Sequence, residues 1–209
     1  DRYGLFIHWG PYALYGRGEQ VLFREHLDPQ KYVERACAWN PTHYDPELWA
    51  EIAKAAGFRY ACLTTRHHDG YCLWDTETTD YCSADQAPQR DFVRDYVEAF
   101  RAAGLRIGLY YSLIDWRIPA FFEGPARNPE GWREMRTYVH RQVEELMTRY
   151  GTIDYVFFDG IWPRTAEDLQ AEALVARMRE WQPTILINNR LGQRDSGDVA
   201  TPEHHIPPE

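Results

Sequence analysis

The amino-acid sequence predicts an α/β protein, a (β/α)8-like (TIM-type) barrel. The first observation is a series of short, continuously apolar runs, which are typical of parallel strands buried on both faces. These runs lie at 5–7, 60–63, 107–109, 155–158 and 185–187. The second observation is that polar, chemically capable residues follow each run. In a barrel the carboxyl ends of the strands meet at one rim, where active sites lie.

Helix signals occupy the spaces between these strands. Asp28 and Asp45 are each followed by proline, the pattern of an N-cap and a first helical turn. Gly104 and Gly151 follow amphipathic or helix-forming stretches and indicate helix ends. Thr165 begins a capping-box pattern. The patterns predict helices over 28–39, 45–57, 89–103, 128–150 and 165–181. The segments left as rim loops are 11–27, 64–88, 112–128, 160–164 and 188–209.

The length of the chain bounds its domain organisation. With 209 residues it can bury one core, so we expect a single barrel domain over 1–209. The first strand begins almost at once, and the chain ends soon after a sixth strand-like unit. Eight β/α units require more chain than this. We therefore expect a fragment that is truncated at both ends and lacks the last one or two units, with a C-terminal β-domain possible beyond it.

Composition excludes several classes of partner. The formal net charge of −9 offers no basic surface for nucleic acid, and no run is long and apolar enough for a membrane helix. The four cysteines lack CxxC spacing and are expected to be buried thiols, which favours a cytoplasmic location. A secreted or periplasmic location stays open, because a signal peptide can be absent from a fragment. Walker, GxGxxG and GxSxG patterns are absent from the sequence.

Asp159 is the leading candidate for chemistry. It ends the apolar run 155–158 and precedes Gly160, so its carboxylate is expected at the rim with an apolar wall behind it. That placement suits a nucleophile attacking the anomeric carbon of a sugar. The alternative, a strand-end aspartate that caps the next turn, is equally compatible with the pattern. Eight Trp and fourteen Tyr fit an aromatic sugar cleft, although aromatic residues also fill cores.

Histidines follow two other strands. His67 and His68 open the sequence His-His-Asp-Gly, and His8 ends the first apolar run. Such imidazoles can donate to sugar hydroxyls, act as acid or base, or bind a metal. No HxH or HExxH spacing is present, so the metal is the less favoured alternative. A structural histidine at a strand end is a further alternative for one of the pair.

Two further candidates lie near the end of the chain. Glu203 follows the sixth strand-like unit and could be the second carboxyl group that retaining glycoside hydrolysis requires. Arg190 could bind a carboxylate or a sugar hydroxyl, with an ordinary surface arginine as its alternative.

In combination, these segments resemble the α-L-fucosidases of glycoside hydrolase family 29. The resemblance rests on Tyr3-Gly4-Leu5-Phe6-Ile7-His8-Trp9-Gly10-Pro11, Leu63-Thr64-Thr65-Arg66-His67-His68-Asp69-Gly70, Gly108-Leu109-Tyr110-Tyr111-Ser112 with Asp115-Trp116, Phe157-Phe158-Asp159-Gly160 and Asn188-Asn189-Arg190. They occur in this order across nearly the whole chain.

The resemblance implies a retaining exo-glycosidase that hydrolyses terminal α-L-fucosyl linkages of an oligosaccharide or glycoconjugate, without metal or organic cofactor. It implies that Asp159 is the nucleophile, Glu203 the general acid/base and Arg190 a support for the carboxylates. The implied substrate-binding residues are His8, Trp9, Glu19, His67, His68, Tyr111, Phe157 and Arg190.

The sequence departs from the family pattern at two places. Gln20 follows Glu19 where the family often has tryptophan, and Phe157 stands where a tryptophan commonly precedes the nucleophile by two residues. Each departure removes an indole that could pack near the sugar. A catalytically inactive sugar-binding protein of the same fold is therefore the first alternative. The second is a metal-dependent hydrolase built on His8, His67, His68 and Asp159.

Overall fold

The computed structural model describes residues 3–192 and 197–202. Its sheet consists of β1 (Gly4–Ile7), β2 (Tyr60–Arg66), β3 (Arg106–Ser112), β4 (Tyr155–Asp159) and β5 (Leu186–Ile187). All neighbouring strands are parallel, and their order in the sheet is their order in the chain. Strand, helix and strand succeed one another as in a (β/α) barrel, which confirms the predicted fold class.

Helices connect the strands and pack on one face of the sheet. They are α1 (Val21–Arg24), α2 (Pro29–Cys37), α3 (Pro46–Ala55), α4 (Phe92–Ala102), α5 (Pro119–Arg127), α6 (Pro129–Thr148), α7 (Ala166–Leu169) and α8 (Ala171–Trp181), and a 3₁₀ helix spans Pro11–Tyr15. The predicted caps are present. The side chains of Asp28, Asp45 and Asn128 accept from backbone amides of the first helical turn.

The predicted helix over 165–181 is wrong in one respect, because the chain breaks it in two. Gln170 adopts a left-handed conformation with φ of 52°, which ends α7 and begins α8. Two predicted rim loops also contain helices. The segment 11–27 holds the 3₁₀ helix and α1, and the segment 112–128 holds α5.

Side chains alternate between the two faces of the sheet. Leu63, Leu109 and Phe158 point to the helices and belong to the buried core. On the opposite face, which lines the interior of the barrel, the ring of Phe6 contacts those of Tyr110 and Phe157. Strand pairing preserves this alternation, because Tyr110 stands opposite Phe157 in the register of β3 and β4. The register therefore decides which polar residues reach the interior.

The structure also describes the cysteines and the hydropathy of the helices. The four cysteines form no disulfide, and three of them (Cys62, Cys72 and Cys82) are buried. Among the helices of the described residues, none is both long and apolar enough to cross a bilayer.

Candidate active site

Asp159 lies at the carboxyl end of β4, and both of its carboxylate oxygens have a defined partner. Oδ1 accepts a hydrogen bond of 2.9 Å from Nη1 of Arg190, and Oδ2 accepts one of 2.9 Å from the hydroxyl of Tyr110. Nε2 of His68 lies 3.7 Å from Oδ2. The carboxylate is 24% exposed, so it is oriented from two sides and still open to a ligand.

A bulge at the end of β2 directs the two histidines. The register with β3 shifts between Thr64 and Arg66, and the hydroxyl of Thr65 donates to the carbonyl of Tyr110 at 2.7 Å. The shift turns Arg66 towards the helices, and His67 then lies over Tyr110. The two ring planes are 4° apart, with centroids separated by 5.2 Å.

The turn after the histidines is fixed by Asp69 and Gly70. Asp69 is buried and accepts from the hydroxyl of Tyr32 at 2.7 Å. Gly70 has a φ of +80°, and a Cβ at this position would lie 2.4 Å from Oδ1 of Asp115. Only glycine fits that backbone conformation and that space. Asp69 and Gly70 thus shape the loop, and they hold the histidines against Asp159.

Burial keeps the imidazoles near Asp159 neutral. It lowers the pKa of His67 well below its usual range, with smaller contributions from the neighbouring His68 and His8. Burial also lowers the pKa of His68, although Asp159 opposes that shift. Burial raises the pKa of Tyr110 well above its usual range, and the charge of Asp159 adds to the effect. Tyr110 therefore remains a protonated donor to Asp159 at neutral pH.

His8 enters the same cluster from the end of β1. The adjacent Trp9 is anchored by Thr64, whose Oγ1 donates to the Trp9 carbonyl at 3.0 Å and accepts from its amide at 3.1 Å. The His8 ring centroid lies 5.6 Å from those of His67 and Tyr110. Burial lowers the pKa of His8, and the nearby charge of Glu19 opposes this. Glu19 therefore lies close enough to His8 for its charge to act on the imidazole.

Arg190 connects Asp159 to a more distant part of the chain. Its Nε donates to Oγ1 of Thr201 at 2.9 Å, and its Nη2 donates to the Thr201 carbonyl at 2.8 Å. The guanidinium carbon lies 5.0 Å from the centroid of Phe157. Thr201 precedes Glu203 by two residues in the sequence. Glu203 itself lies outside the residues that the structure describes.

Two of the expected pocket residues point away from Asp159. Tyr111 is 1% exposed, and its hydroxyl donates to Gln142 of α6 at 2.8 Å. The indole of Trp9 packs among Trp39, Tyr44, Trp49 and Phe92 in the helix layer. Alternation explains both placements. His8 and Tyr110 occupy the interior face of the sheet, so Trp9 and Tyr111, the next residues along their strands, lie on the helix side.

Three residues that sequence reasoning missed contact this cluster: Tyr110, Ser112 and Thr201. Tyr110 and Ser112 alternate with Leu109 and Tyr111 along β3, but the sequence does not say which of the two sets faces the interior. They also stand opposite Phe157 and Asp159 in the register, which sequence alone does not provide. Thr201 carried no signal, because its contact with Arg190 depends on the path of the chain after β5.

One arrangement is compatible with metal binding. One ligand atom each from His67, His68 and Asp159 lies within 4.8 Å of the others. However, the carboxylate already accepts from the cationic Arg190 and from Tyr110. A positive charge at 2.9 Å disfavours a metal ion on the same group. The donor set therefore fits a ligand with hydroxyl groups better than a cation.

Fold and site together indicate a class of protein. A carboxylate oriented at the end of a barrel strand, with neutral imidazoles and aromatic rings around it, is the kind of site that (β/α) barrel enzymes carry at their rim, and it suits a sugar ligand. The sequence matches the alpha-L-fucosidase family over residues 1–209, and the chain belongs to that family.

Individual relatives agree with this membership. The chain is similar to the tissue alpha-L-fucosidase of Rattus norvegicus, with 27% identity over 93% of this chain and 46% of that protein. It resembles alpha-L-fucosidase isoenzyme 1 from Paenibacillus thiaminolyticus, with 42% identity, a TM-score of 0.90 and coverage of 99% of this chain and 54% of that one. The chain thus spans about half the length of these relatives.

A third relative was trapped during its reaction. It is a Bacteroides thetaiotaomicron alpha-L-fucosidase, solved as a covalent intermediate with 2-fluoro-fucosyl fluoride. The identity is 28% and the TM-score 0.84, over 96% of this chain and 49% of that one.

Proposed function

We propose that the protein containing this chain is a retaining exo-α-L-fucosidase that hydrolyses terminal α-linked fucose of oligosaccharides or glycoconjugates. The observation that carries the proposal is the carboxylate of Asp159, which Arg190 and Tyr110 hold by one oxygen each at 2.9 Å. A carboxylate fixed in this way is preorganised to attack a carbon atom presented at the rim. The covalent intermediate of the Bacteroides relative supports the same chemistry.

The first step replaces the glycosidic bond by an enzyme ester. A carboxylate oxygen of Asp159 attacks C1 of the fucosyl residue from the face opposite the leaving group. The bond between C1 and the glycosidic oxygen breaks, and Glu203 transfers its proton to that oxygen. The aglycone leaves as an alcohol, and Asp159 carries the fucosyl group.

The second step returns the enzyme to its starting state. Glu203, now a carboxylate, removes a proton from water, and the water oxygen attacks C1. The ester bond to Asp159 breaks, and fucose leaves with its anomeric configuration retained. Support for Glu203 comes from Thr201, because Arg190 holds this nearby residue with the same guanidinium that binds Asp159. The steps require no metal or organic cofactor.

We assign recognition of the sugar to the groups around the carboxylate. The neutral rings of His8, His67 and His68 can exchange hydrogen bonds with hydroxyl groups, and Glu19 can accept from one. The partly exposed ring of Phe157 suits the apolar side of the sugar ring. Because Tyr111 and Trp9 point into the helix layer, we assign them to packing rather than to the pocket.

Chemical rescue with azide tests both carboxylate roles at once. With an activated aryl α-L-fucoside, Asp159→Gly should be inactive until azide takes the place of the carboxylate and yields β-L-fucosyl azide. Glu203→Gly should still form the fucosyl-enzyme, and azide should then yield α-L-fucosyl azide. An Asp159→Gly variant that hydrolyses the substrate normally would overturn the nucleophile. A β-azide from the Glu203 variant would overturn the assignment of the acid/base.

Each alternative has its own outcome in the same assay. A sugar-binding protein would bind fucose without releasing it from any fucoside. A metal-dependent hydrolase would lose activity on exhaustive chelation and regain it with added metal. We do not expect dependence on a metal, because the cation of Arg190 already binds the carboxylate that the metal would need.

A further inference from the structure

A buried serine fixes the direction of the hydrogen bonds around His68. Oγ of Ser112 lies 2.6 Å from Nδ1 of His68 and 2.8 Å from the carbonyl oxygen of Ile114. The carbonyl oxygen has no proton to give, so the single proton of the hydroxyl lies on the bond to Ile114. Towards His68 the hydroxyl can therefore only accept. Nδ1 of His68 must carry a proton.

This direction leaves the other ring nitrogen as an acceptor. Because burial lowers the pKa of His68, the ring holds only one proton at neutral pH, and Nε2 has a free lone pair. Nε2 lies 3.7 Å from Oδ2 of Asp159. Both atoms are acceptors, so neither can donate to the other.

We propose that Ser112 is a positioning residue, which holds His68 in the Nδ1–H tautomer so that Nε2 accepts a hydrogen bond from a sugar hydroxyl beside Asp159. The identity of the ligand rests on the proposed function, whereas the tautomer follows from the geometry alone. The opposite tautomer would direct an N–H group at Oδ2 of Asp159. That contact would engage an oxygen of the nucleophile, which otherwise accepts only from Tyr110 among the described residues.

Arg66 fixes the backbone carbonyl groups next to the hydrogen bonds of Ser112. Its Nη2 donates to the carbonyl of Ser112 at 2.6 Å and to that of Ile114 at 3.3 Å. The guanidinium is fully buried, lies 4.5 Å from the ring of Tyr111 and bonds to Gln142 at 2.7 Å. The carbonyl of Ile114, which accepts from the hydroxyl of Ser112, is therefore fixed relative to β3 and α6. The hydroxyl keeps this acceptor in place and does not turn its proton towards His68.

Nitrogen NMR of the intact protein, with isotope-labelled histidine, tests the tautomer directly. The signals of His68 are assigned by their absence in His68→Gln. We expect Nδ1 of His68 to show the shift of a protonated nitrogen and Nε2 that of an unprotonated one. In Ser112→Ala the Nε2–H form should become substantially populated, and Ser112→Thr, which keeps the hydroxyl, should preserve the wild-type form. A wild-type ring protonated at Nε2 alone would overturn the inference without reference to any variant.

Kinetics with an aryl α-L-fucoside test the consequence. Ser112→Ala should lower kcat/KM by about tenfold to a hundredfold, the effect of misdirecting one hydrogen bond in a buried site. The matched control is Ser83→Ala, since Ser83 is also fully buried and donates to a backbone carbonyl, that of Arg90, at 2.6 Å. It should leave both kcat/KM and the His68 signals unchanged.

The two readouts separate this inference from the proposed function. A wild type that releases no fucose would overturn the proposed function, while the NMR signals would still report the tautomer. A wild type that releases fucose, together with a Ser112→Ala variant of unchanged tautomer and unchanged kcat/KM, would overturn the role of Ser112.

Discussion

The hydroxyl of Tyr110 donates to Oδ2 of Asp159 across 2.9 Å, from the strand next to the one that carries the carboxylate. The two residues lie on the interior face of the sheet, and the tyrosine ring is 1% exposed. Burial and the charge of Asp159 both raise the pKa of Tyr110, so the proton stays on the phenol. The phenol of Tyr110 therefore remains a hydrogen-bond donor to Asp159 at neutral pH.

Removal of this hydroxyl should impair turnover. We expect Tyr110→Phe to lower kcat for an aryl α-L-fucoside by about tenfold to a hundredfold, because one charge-assisted hydrogen bond to the carboxylate is lost. The measurement is steady-state kinetics on the intact protein, with kcat and KM determined separately. Unchanged kcat would show that Tyr110 does not orient the nucleophile.

The neighbouring tyrosine provides the matched control. Tyr111→Phe removes a buried hydroxyl that bonds to Gln142 at 2.8 Å, on the opposite face of the same strand. We expect a loss of about 1 kcal/mol in the free energy of unfolding and nearly normal kcat. A large loss of kcat in Tyr111→Phe, with normal stability, would contradict the assignment of the two faces.

Arg190 should act through geometry as well as charge. Arg190→Lys keeps a positive charge but cannot bond to Asp159 and to Thr201 with a planar fork. We expect kcat to fall by about tenfold or more. Arg179→Lys is the control. Nη2 of Arg179 donates to Oδ1 and Oδ2 of Asp198 at 2.9 and 2.7 Å. The substitution at Arg179 should therefore lower stability and leave kcat unchanged. Equal kinetic losses in both variants would point to a general effect on the segment after β5.

Local signals explain why much of the fold could be predicted. Continuous apolar runs followed by polar residues identified the five strands of the described residues. Caps such as Asp45 identified helix starts, because a side chain and a backbone amide three residues later suffice. In contrast, α5 carries Gly124 and Pro125 in its middle, which is a loop pattern. Its helical turns depend on packing that the sequence does not display.

The sequence could predict a candidate site residue only where its position along a strand was enough to place it. Asp159 and the histidines follow from their position at strand ends. The choice between Tyr110 and Tyr111 does not, because a strand buried on both faces shows no polar alternation. The register with β4 decides it, and register depends on long-range pairing. The bonds of Arg190 to Thr201 are long-range for the same reason.

The break between α7 and α8 predicts a stabilising substitution. Gln170 is exposed and holds a left-handed conformation with φ of 52°, which costs a residue with a Cβ about 1 kcal/mol. Gln170→Gly should therefore raise the free energy of unfolding by about 0.5–1 kcal/mol. Gln30→Gly, the same substitution at an exposed position inside α2, should lower it instead. Thermal denaturation of both variants checks the prediction, and a shift of the same sign in the two would contradict it.

Asp69 should make stability depend on pH. Burial raises the pKa of its carboxyl group to about 6, although hydrogen bonds from Tyr32 and the Tyr71 amide oppose the shift. In the unfolded chain the carboxyl has its ordinary, lower pKa. The folded state therefore binds the proton more tightly, and this contribution to stability is fully present below about pH 4. It is lost as the pH rises through about 6, where a buried carboxylate must form.

Asp69→Asn removes this titration and keeps an acceptor for Tyr32. Relative to wild type, we expect the free energy of unfolding of the variant to rise by about 1.4 kcal/mol between pH 5 and pH 8. Chemical denaturation at the two pH values measures this difference. Asp45→Asn, at an exposed N-cap where asparagine serves equally well, is the control and should show no such rise. The contrary result is a difference in free energy of unfolding between Asp69→Asn and wild type that is the same at both pH values. In that case the carboxyl of Asp69 does not titrate in this range.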